Sequence, residues 1–158
     1  MKFPTYWRSL PVGLLVIFVS LKALAHGDVT PHPIDTSGLK PLGQASVDAN
    51  PYRGNEKAIA IGAEGYMHNC AGCHGLNAVS GGVAPDLLAL ARDCVGMKAA
   101  EQAACLKESD EYFKDITLHG KKNGEGRFTM PAYGSVFTDE AVWAVKSYLD
   151  ARTFETNR

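Results

Sequence analysis

Residues 70–74 read CAGCH and place two thiols and an imidazole at C-x-x-C-H spacing. This is the spacing of a c-type haem attachment site, in which each thiol adds to one vinyl group of the porphyrin. The two-residue spacer turns the backbone so that the following histidine can ligate the iron. The motif occurs once. The sequence therefore predicts one haem, held covalently by Cys70 and Cys73, with His74 as the proximal iron ligand.

Two other kinds of site use related spacings. A zinc site of this type needs a second Cys/His pair, and the remaining cysteines, Cys94 and Cys105, stand eleven positions apart with no adjacent histidine. A thioredoxin-like redox pair needs a strand before the motif, whereas the residues before Cys70 have a helical pattern. The haem interpretation is therefore favoured.

The sixth iron ligand is expected to be Met130, which lies in a Gly-rich loop that can cross the far face of a haem. Met67 is one helical turn before Cys70 and cannot reach that face. Met97 is possible, although the neighbouring cysteine tethers it. A methionine in an otherwise polar loop has little core to fill, which favours Met130.

Two histidines outside the motif could also ligate iron. His68 points away from the Cys70 face of its helix. His119 closes a helix at its C-terminal end, where a partly charged imidazole interacts favourably with the helix dipole. Both are interpreted as surface residues or as residues that support an iron ligand without binding the iron.

The element that carries the motif is predicted to be a helix that begins after Asn55, a good N-cap. Gly62 lies on the same helical face as Cys70, and an interior glycine indicates close approach by another helix. The natural partner is the last helix, which is expected to begin near Thr138 with acidic residues in its first turn. Its inward stripe comprises Val142, Val145 and Leu149, flanked by Trp143 and Tyr148.

Two further helices are predicted between these ends, over 98–107 and 110–118, with Ser109 capping the second and Gly120 ending it. No alternating strand pattern of useful length is present. The predicted fold class is therefore all-α. Residues 26–52 contain four prolines without helical periodicity and are predicted to form an extended N-terminal arm.

The first 25 residues have the pattern of a signal peptide: Lys2 and Arg8, then an apolar stretch, then small residues at Ala23 and Ala25. The apolar stretch is too short to span a bilayer, so no stable membrane insertion is expected. Cleavage after Ala25 predicts export to the periplasm and a mature chain of 13 bases and 17 acids, net charge −4. This charge disfavours a nucleic-acid partner. The predicted organisation is signal peptide 1–25, arm 26–52 and haem domain 53–158.

The order of motifs resembles the monohaem cytochrome c family. Gly62, Tyr66 and the CAGCH segment are followed by GVAPDL at 82–87, then by Met130-Pro131 and an aromatic-rich terminal helix. The resemblance implies the monohaem cytochrome c fold and an electron carrier rather than an enzyme. It also implies that the carbonyl of Pro85 accepts a hydrogen bond from Nδ1 of His74, which fixes the imidazole.

A narrower resemblance is to the cytochromes that serve quinoprotein (pyrroloquinoline quinone) alcohol dehydrogenases. It rests on residues 26–31, 50–53 and 80–82 and on the insert bearing Cys94 and Cys105. It implies such a dehydrogenase as electron donor, and a terminal oxidase or another cytochrome as acceptor. Two alternatives remain. One is a haem enzyme or gas sensor with an open iron site, and the other is a fixed cytochrome subunit of a dehydrogenase complex.

Two expectations concern residues outside the motif. Cys94 and Cys105 are the thiols not used by the haem and are expected to form a disulfide in an oxidising compartment. Lys121, Lys122 and Arg127 form a basic loop before Met130. This loop either pairs with haem propionates or an acidic partner, or is simply solvated.

Overall fold

The computed structural model describes residues 30–43 and 47–157, so the predicted leader and its cleavage site lie outside the described residues. The principal elements are α1 (Glu56–Asn69), α2 (Ala71–His74), α3 (Ala89–Arg92), α4 (Ala99–His119) and α5 (Asp139–Thr156). A 3₁₀ turn covers Leu76–Ala78, and two short strands, β1 (Lys121–Lys122) and β2 (Phe128–Met130), pair antiparallel. The predominantly helical prediction is confirmed.

Helices α1 and α5 pack directly against each other, and Gly62 makes this possible. A Cβ at Gly62 would collide with the carbonyl of Ala144, so only glycine lets the two backbones approach this closely. Both helices begin at the predicted caps. The Asn55 side chain accepts a hydrogen bond from the Ala58 amide at 3.1 Å, and the Thr138 hydroxyl accepts one from the Ala141 amide at 3.3 Å.

Helix α5 is buried on every side between residues 141 and 150. The predicted apolar stripe of Val142, Val145 and Leu149 is buried, as expected. Lys146 and Asp150 are buried as well, which a one-sided amphipathic pattern does not predict. The α5 helix is therefore the centre of the molecule rather than a surface helix.

The prediction of two separate helices between 98 and 118 is wrong, because α4 is one continuous helix. Ser109 does not cap a helix but is buried within α4. No glycine or proline interrupts α4, so continuation of the helix carries no large penalty there. Gly120 ends the helix as predicted, with φ at 72° and its amide bonded to the Ile116 carbonyl at 2.9 Å.

The predicted Gly-rich loop before Met130 contains the small β1–β2 hairpin, an addition to the all-α prediction. Asn123 stabilises its turn, because the Asn123 side chain accepts hydrogen bonds from the amides of Glu125 and Arg127, each at 3.0 Å. The strands are too short and too exposed for an alternating pattern to be visible in the sequence. Met130 is the last residue of β2.

The described part of the N-terminal arm packs against α1 and α5. Leu39 and Tyr52 are buried in a cluster with Trp143 of α5. The amide of His32 donates to the side chain of Asn69 at 2.8 Å. The amide of Leu42 donates to Glu140 at 2.9 Å. The arm thus covers the helix pair.

A buried cluster of two cations and two carboxylates, the ion cluster, joins the arm to α4 and α5. Arg53 lies 2.6 Å from Asp110 and 2.9 Å from Asp150, and Lys146 lies 3.1 Å from Asp110 and also contacts Asp150. The amide of Asn50 donates to Asp110 at 2.8 Å. The formal charges of the four side chains cancel, which makes their burial tolerable.

The predicted disulfide between Cys94 and Cys105 is present, with 5.7 Å between the two Cα atoms. Cys94 is buried with Ala91 and Leu106, so the disulfide ties the end of α3 to α4. Among the helices of residues 30–43 and 47–157, none combines the length and apolar character needed to cross a membrane.

Candidate functional site

A cavity of about 420 Å³ lies between the segment from α2 to α3 on one side and α4 with β2 on the other. Its walls are predominantly apolar, as expected of a site for a large flat cofactor. The sequence predicts five residues that bind a haem or support one of its ligands. All five line this cavity: Cys70, Cys73, His74, Pro85 and Met130.

His74 is held by one specific hydrogen bond, 2.8 Å long, between Nδ1 and the carbonyl of Pro85. A carbonyl only accepts, so the Nδ1 nitrogen carries the proton and donates. In the neutral imidazole with this tautomer, the other ring nitrogen, Nε2, carries the lone pair that can bind a metal. This is the orientation and tautomer that an axial haem ligand requires.

The two thiols of the motif are unpaired. Burial, with a smaller contribution from Cys73, raises the pKa of the Cys70 thiol to about 12. Cys70 packs against the main core, so it faces the interior of the molecule. Cys70 and Cys73 line the same cavity as His74. The arrangement suits two thioether links on one side of a macrocycle.

Two tyrosines hold the backbone on either side of the motif. The Tyr66 hydroxyl donates to the carbonyl of Gly75 at 2.7 Å, and the Tyr133 hydroxyl donates to the carbonyl of Asn69 at 2.7 Å. Burial raises the pKa of both hydroxyls, so they remain protonated donors. Tyr66 belongs to the order of motifs that resembles the cytochrome c family, whereas nothing in the sequence marks Tyr133, whose partner is 64 positions away.

The methionine and histidine alternatives do not share the cavity. Met67 and Met97 are 50% and 41% exposed and line other surfaces, whereas Met130 contributes to the cavity wall. His68 and His119 are exposed, as predicted, and Nδ1 of His119 lies 2.9 Å from the carboxylate of Asp115. In the described part of the chain, Met130 is thus the methionine that lines the cavity together with His74.

The three basic residues of the predicted loop have different surroundings. Lys121 lines the cavity, at its exposed edge. The ammonium of Lys122 lies 4.7 Å from the centre of the Phe128 ring, and Arg127 pairs with Glu125. Only Lys121 is therefore placed to meet a group inside the cavity.

Other lining residues were not assigned to the site from the sequence, although Val145 was predicted to face the core and Leu87 lies in the GVAPDL segment. Leu87, Leu90, Phe113, Ile116 and Val145 supply apolar wall. They carry no recognisable motif, and their apolar character alone cannot distinguish a cofactor wall from an ordinary core.

The residues present fit a haem c. Two unpaired thiols, an imidazole with a free Nε2, a thioether and an apolar cavity converge on one volume. The chemistry of this donor set, two sulfurs for covalent attachment and an imidazole with a thioether for the iron, is that of a haem c site.

Comparison with known proteins agrees with this site. Residues 57–149 match the family described as cytochrome C oxidase, cbb3-type, subunit III. Cytochrome c550 of Pseudomonas aeruginosa is 44% identical over 146 residues, which cover 88% of the chain and 91% of that protein. No solved structure gives a significant match.

A second curated relative is a larger protein. Quinohemoprotein alcohol dehydrogenase ADH-IIG of Pseudomonas putida is 33% identical over 109 residues, which are 68% of the chain but 12% of the dehydrogenase. The family match covers more than half of the chain, and the cytochrome c550 match covers nearly all of both proteins. The chain therefore belongs to the cytochrome c family and is an electron carrier that uses haem c.

Proposed function

We propose that the chain is a periplasmic one-electron carrier between a quinoprotein alcohol dehydrogenase and the respiratory chain. The observation that carries the partner is the match to the alcohol dehydrogenase of Pseudomonas putida, in which this domain corresponds to 12% of the protein. When a domain is part of a dehydrogenase in one protein, a separate protein with the same domain is a good candidate for the electron acceptor of a related dehydrogenase. The resemblance of residues 50–53 and of the disulfide-bearing insert supports the same partner.

We assign covalent attachment of one haem c to Cys70 and Cys73 and axial iron ligation to His74 and Met130. The support is their convergence on one cavity and the His74–Pro85 hydrogen bond. When bound, the haem supplies a one-electron couple, and a methionine ligand raises its reduction potential. If His74 and Met130 both bind the iron, no coordination position would be open to a substrate, which fits electron transfer rather than catalysis.

The protein's own contribution is to hold these ligands and to keep one edge of the cavity accessible. Val83, which is 80% exposed, and the exposed Lys121 both line the cavity. Such an edge allows a redox partner to approach within tunnelling distance through a small contact. Alcohol oxidation to an aldehyde releases two electrons and two protons, so two carrier molecules, each taking one electron, are consumed per alcohol.

The predicted leader places this exchange in the periplasm, where the acceptor of the reduced carrier is a terminal oxidase or another cytochrome. The boundaries of leader, arm and haem domain stay predictions. The described arm contacts α1 and α5 rather than projecting from them. This position is compatible with a freely diffusing carrier.

The partner is tested by mixing the oxidised holoprotein with a quinoprotein alcohol dehydrogenase, its cofactor and an alcohol. We expect haem reduction on the timescale of dehydrogenase turnover, followed at the absorption bands of the ferrous protein. The matched control is an unrelated cytochrome c of similar potential. A rate no higher than the control rate would remove this partner while leaving the electron-carrier assignment in place.

The axial assignment is tested by Met130→Ala. We expect loss of the weak sulfur-to-iron band of the ferric protein, a lower reduction potential, and binding of carbon monoxide to the ferrous form. Met97→Ala is the control and should leave all three unchanged. If Met97→Ala removes the band and Met130→Ala does not, the assignment of Met130 is wrong.

A further inference from the structure

A buried hydrogen bond from Tyr133 joins two distant parts of the cavity lining. The Tyr133 hydroxyl donates to the backbone carbonyl of Asn69 at 2.7 Å, and only 4% of the tyrosine is exposed. Asn69 directly precedes Cys70, and Tyr133 follows Met130 by three positions. Asn69, Tyr133 and Met130 all line the cavity. The bond therefore links residues 130–133, the Met130 segment, to the start of the CAGCH motif.

The carbonyl that accepts this bond lies at the end of a helix. Asn69 is the last residue of α1, and the last four carbonyls of a helix have no partner within it. Because Asn69 is buried, its carbonyl needs a donor from elsewhere in the protein. The Tyr133 hydroxyl is that donor, from 64 positions later in the chain. A phenylalanine would fill the same space but would leave the carbonyl without this bond.

The other contacts of the Met130 segment are made to α4. The Tyr133 amide donates to the carbonyl of Thr117 at 2.9 Å. A Cβ at Gly120, just after α4, would lie 2.6 Å from the carbonyl oxygen of Met130. These contacts hold the segment to α4 and leave its position relative to the motif open. The Tyr133 hydroxyl supplies the missing restraint, because its acceptor directly precedes the motif.

We infer that the Tyr133 hydroxyl is a positioning group that holds the Met130 segment at a fixed distance from the CAGCH motif and so slows detachment of Met130 from the iron. The inference rests on the proposed ligation by Met130. Pro131 follows the methionine and has a fixed φ, so the segment has little freedom to adjust between Met130 and Tyr133. When the methionine leaves the iron, the segment moves away from the motif and the hydrogen bond breaks. Loss of this bond therefore opposes detachment.

The experiment measures how fast the methionine detaches in the ferric holoprotein. Imidazole is added at increasing concentration, and loss of the sulfur-to-iron band is followed by stopped-flow absorption. At saturating imidazole the rate becomes independent of imidazole concentration and equals the rate of methionine detachment. Tyr133→Phe removes the hydroxyl and keeps the ring, which packs against Phe137 with 4.8 Å between ring centres. Urea unfolding of each variant gives its stability.

Two other tyrosines provide matched comparisons. The Tyr52 hydroxyl also donates to a backbone carbonyl, that of Lys40, and Tyr52 is 6% exposed but does not line the cavity. Tyr52→Phe is therefore the same chemical change outside the site. The Tyr66 hydroxyl donates to the carbonyl of Gly75 at 2.7 Å, so both ends of its bond lie next to the motif and neither lies in the Met130 segment.

We expect Tyr133→Phe to raise the limiting rate about fivefold, the factor that corresponds to one hydrogen bond at 25 °C. Tyr52→Phe should leave this rate unchanged although it also loses a hydrogen bond, and Tyr66→Phe should raise it less than Tyr133→Phe does. An unchanged rate in Tyr133→Phe would overturn the inference. So would a rise in either comparison variant as large as in Tyr133→Phe, because the effect would then follow from lost stability.

A measurement on the unmodified protein covers the case in which Tyr133→Phe does not fold. Proton NMR follows exchange of the Tyr133 hydroxyl proton with solvent, before and after saturation with imidazole. The proton should exchange slowly while Met130 is bound and rapidly in the imidazole complex. Slow exchange in both states would overturn the inference, because the bond would then persist after the methionine has left.

The Met130→Ala variant separates this inference from the proposal on which it rests. If Met130→Ala loses the band while Tyr133→Phe leaves the limiting rate unchanged, Met130 is the ligand and only the positioning role of Tyr133 is wrong. If Met130→Ala keeps the band, the ligation and the positioning role both fail.

Discussion

Neighbouring residues of α5 belong to two very different buried regions. Val145 lines the haem cavity, whereas Lys146 lies in the ion cluster. The cavity is largely apolar, and its few polar groups include some, such as Nε2 of the His74 imidazole, that are available to a bound cofactor rather than paired within the protein. The ion cluster is polar and closed on itself, with each charge paired inside the protein. One region is thus built for the cofactor, and the other for joining the arm and two helices.

The ion cluster also differs from the cavity in how its groups are stabilised. Burial lowers the pKa of Arg53, but the carboxylates of Asp150 and Asp110 outweigh it, so the net pKa is raised and Arg53 stays charged. Such a cluster adds little stability over apolar residues of the same volume, yet removal of one member leaves a buried charge without compensation. We therefore expect changes in the ion cluster to alter stability and changes in the cavity to alter spectra and potential.

The largest expected effect on stability is that of Lys146→Met. The change leaves Asp110 and Asp150 to share a single cation, Arg53, and should lower the free energy of unfolding by about 3–5 kcal/mol. Urea unfolding of the ferric holoprotein at neutral pH measures this. The sulfur-to-iron band should not move, because Lys146 does not line the cavity.

The control for this change is Lys107→Met, which breaks the exposed pair of Lys107 with Glu111 on α4. An exposed pair of this kind contributes little to stability, because solvent screens the two charges. The double variant Lys146→Met, Asp150→Asn restores neutrality and should lose less stability than the sum of its single changes. Equal losses for the Lys107 and Lys146 variants would refute the ion cluster as a stabilising unit.

The second effect is that of the disulfide. Replacement of Cys94 and Cys105 by alanine should lower the free energy of unfolding by about 3 kcal/mol, the chain-entropy value for a loop of this size. The disulfide ties α3, whose Ala89 and Leu90 line the cavity, to α4. Urea unfolding of the double variant gives the loss. We expect the absorption spectrum to change less than that of Met130→Ala. An equally large change would show that the disulfide shapes the cavity directly, and it would contradict the expectation that only changes in the cavity alter the spectrum.

The two regions were not equally visible in the sequence. The cavity could be anticipated because Cys70, Cys73 and His74 are adjacent and their chemistry fixes the spacing. The ion cluster could not, because Arg53, Asp110 and Lys146 come from distant segments and each looks like an ordinary surface charge.

The same limit applies to two smaller features of the fold. The continuity of α4 at Ser109 depends on burial of that residue, which local preference for a cap does not reveal. Tyr133 was missed for a similar reason, because its partner, the carbonyl of Asn69, is 64 positions away in the chain.

A third prediction concerns the contact between α1 and α5. Helix α1 leads into the CAGCH motif, and α5 carries residues of both the cavity and the ion cluster. Gly62→Ala forces a methyl group into the carbonyl of Ala144 and should lower the free energy of unfolding by about 2 kcal/mol, as overpacking does. Gly124→Ala is the control, because a Cβ at Gly124 meets nothing within 4 Å. The two free energies come from urea unfolding. Equal stability of the two variants would contradict the close approach of the helices.

The smallest expected effect belongs to the contact between the arm and the start of α5. The hydrogen bond from the Leu42 amide, and then the bond from its own amide, lower the pKa of Glu140 in the folded protein. A carboxylate with a lowered folded pKa contributes stability that is present above its unfolded pKa of about 4.3 and is lost as the pH falls through the folded value.

Glu140→Gln should therefore lower the free energy of unfolding by about 1 kcal/mol at pH 7 and flatten the profile of stability against pH below pH 5. Unfolding measured between pH 7 and pH 3 checks this, with Glu108→Gln on the exposed side of α4 as control. If the Glu140→Gln profile falls as steeply as that of the unmodified protein, this carboxylate does not fasten the arm, and the arm's attachment depends on the ion cluster and the Leu39–Tyr52–Trp143 packing instead.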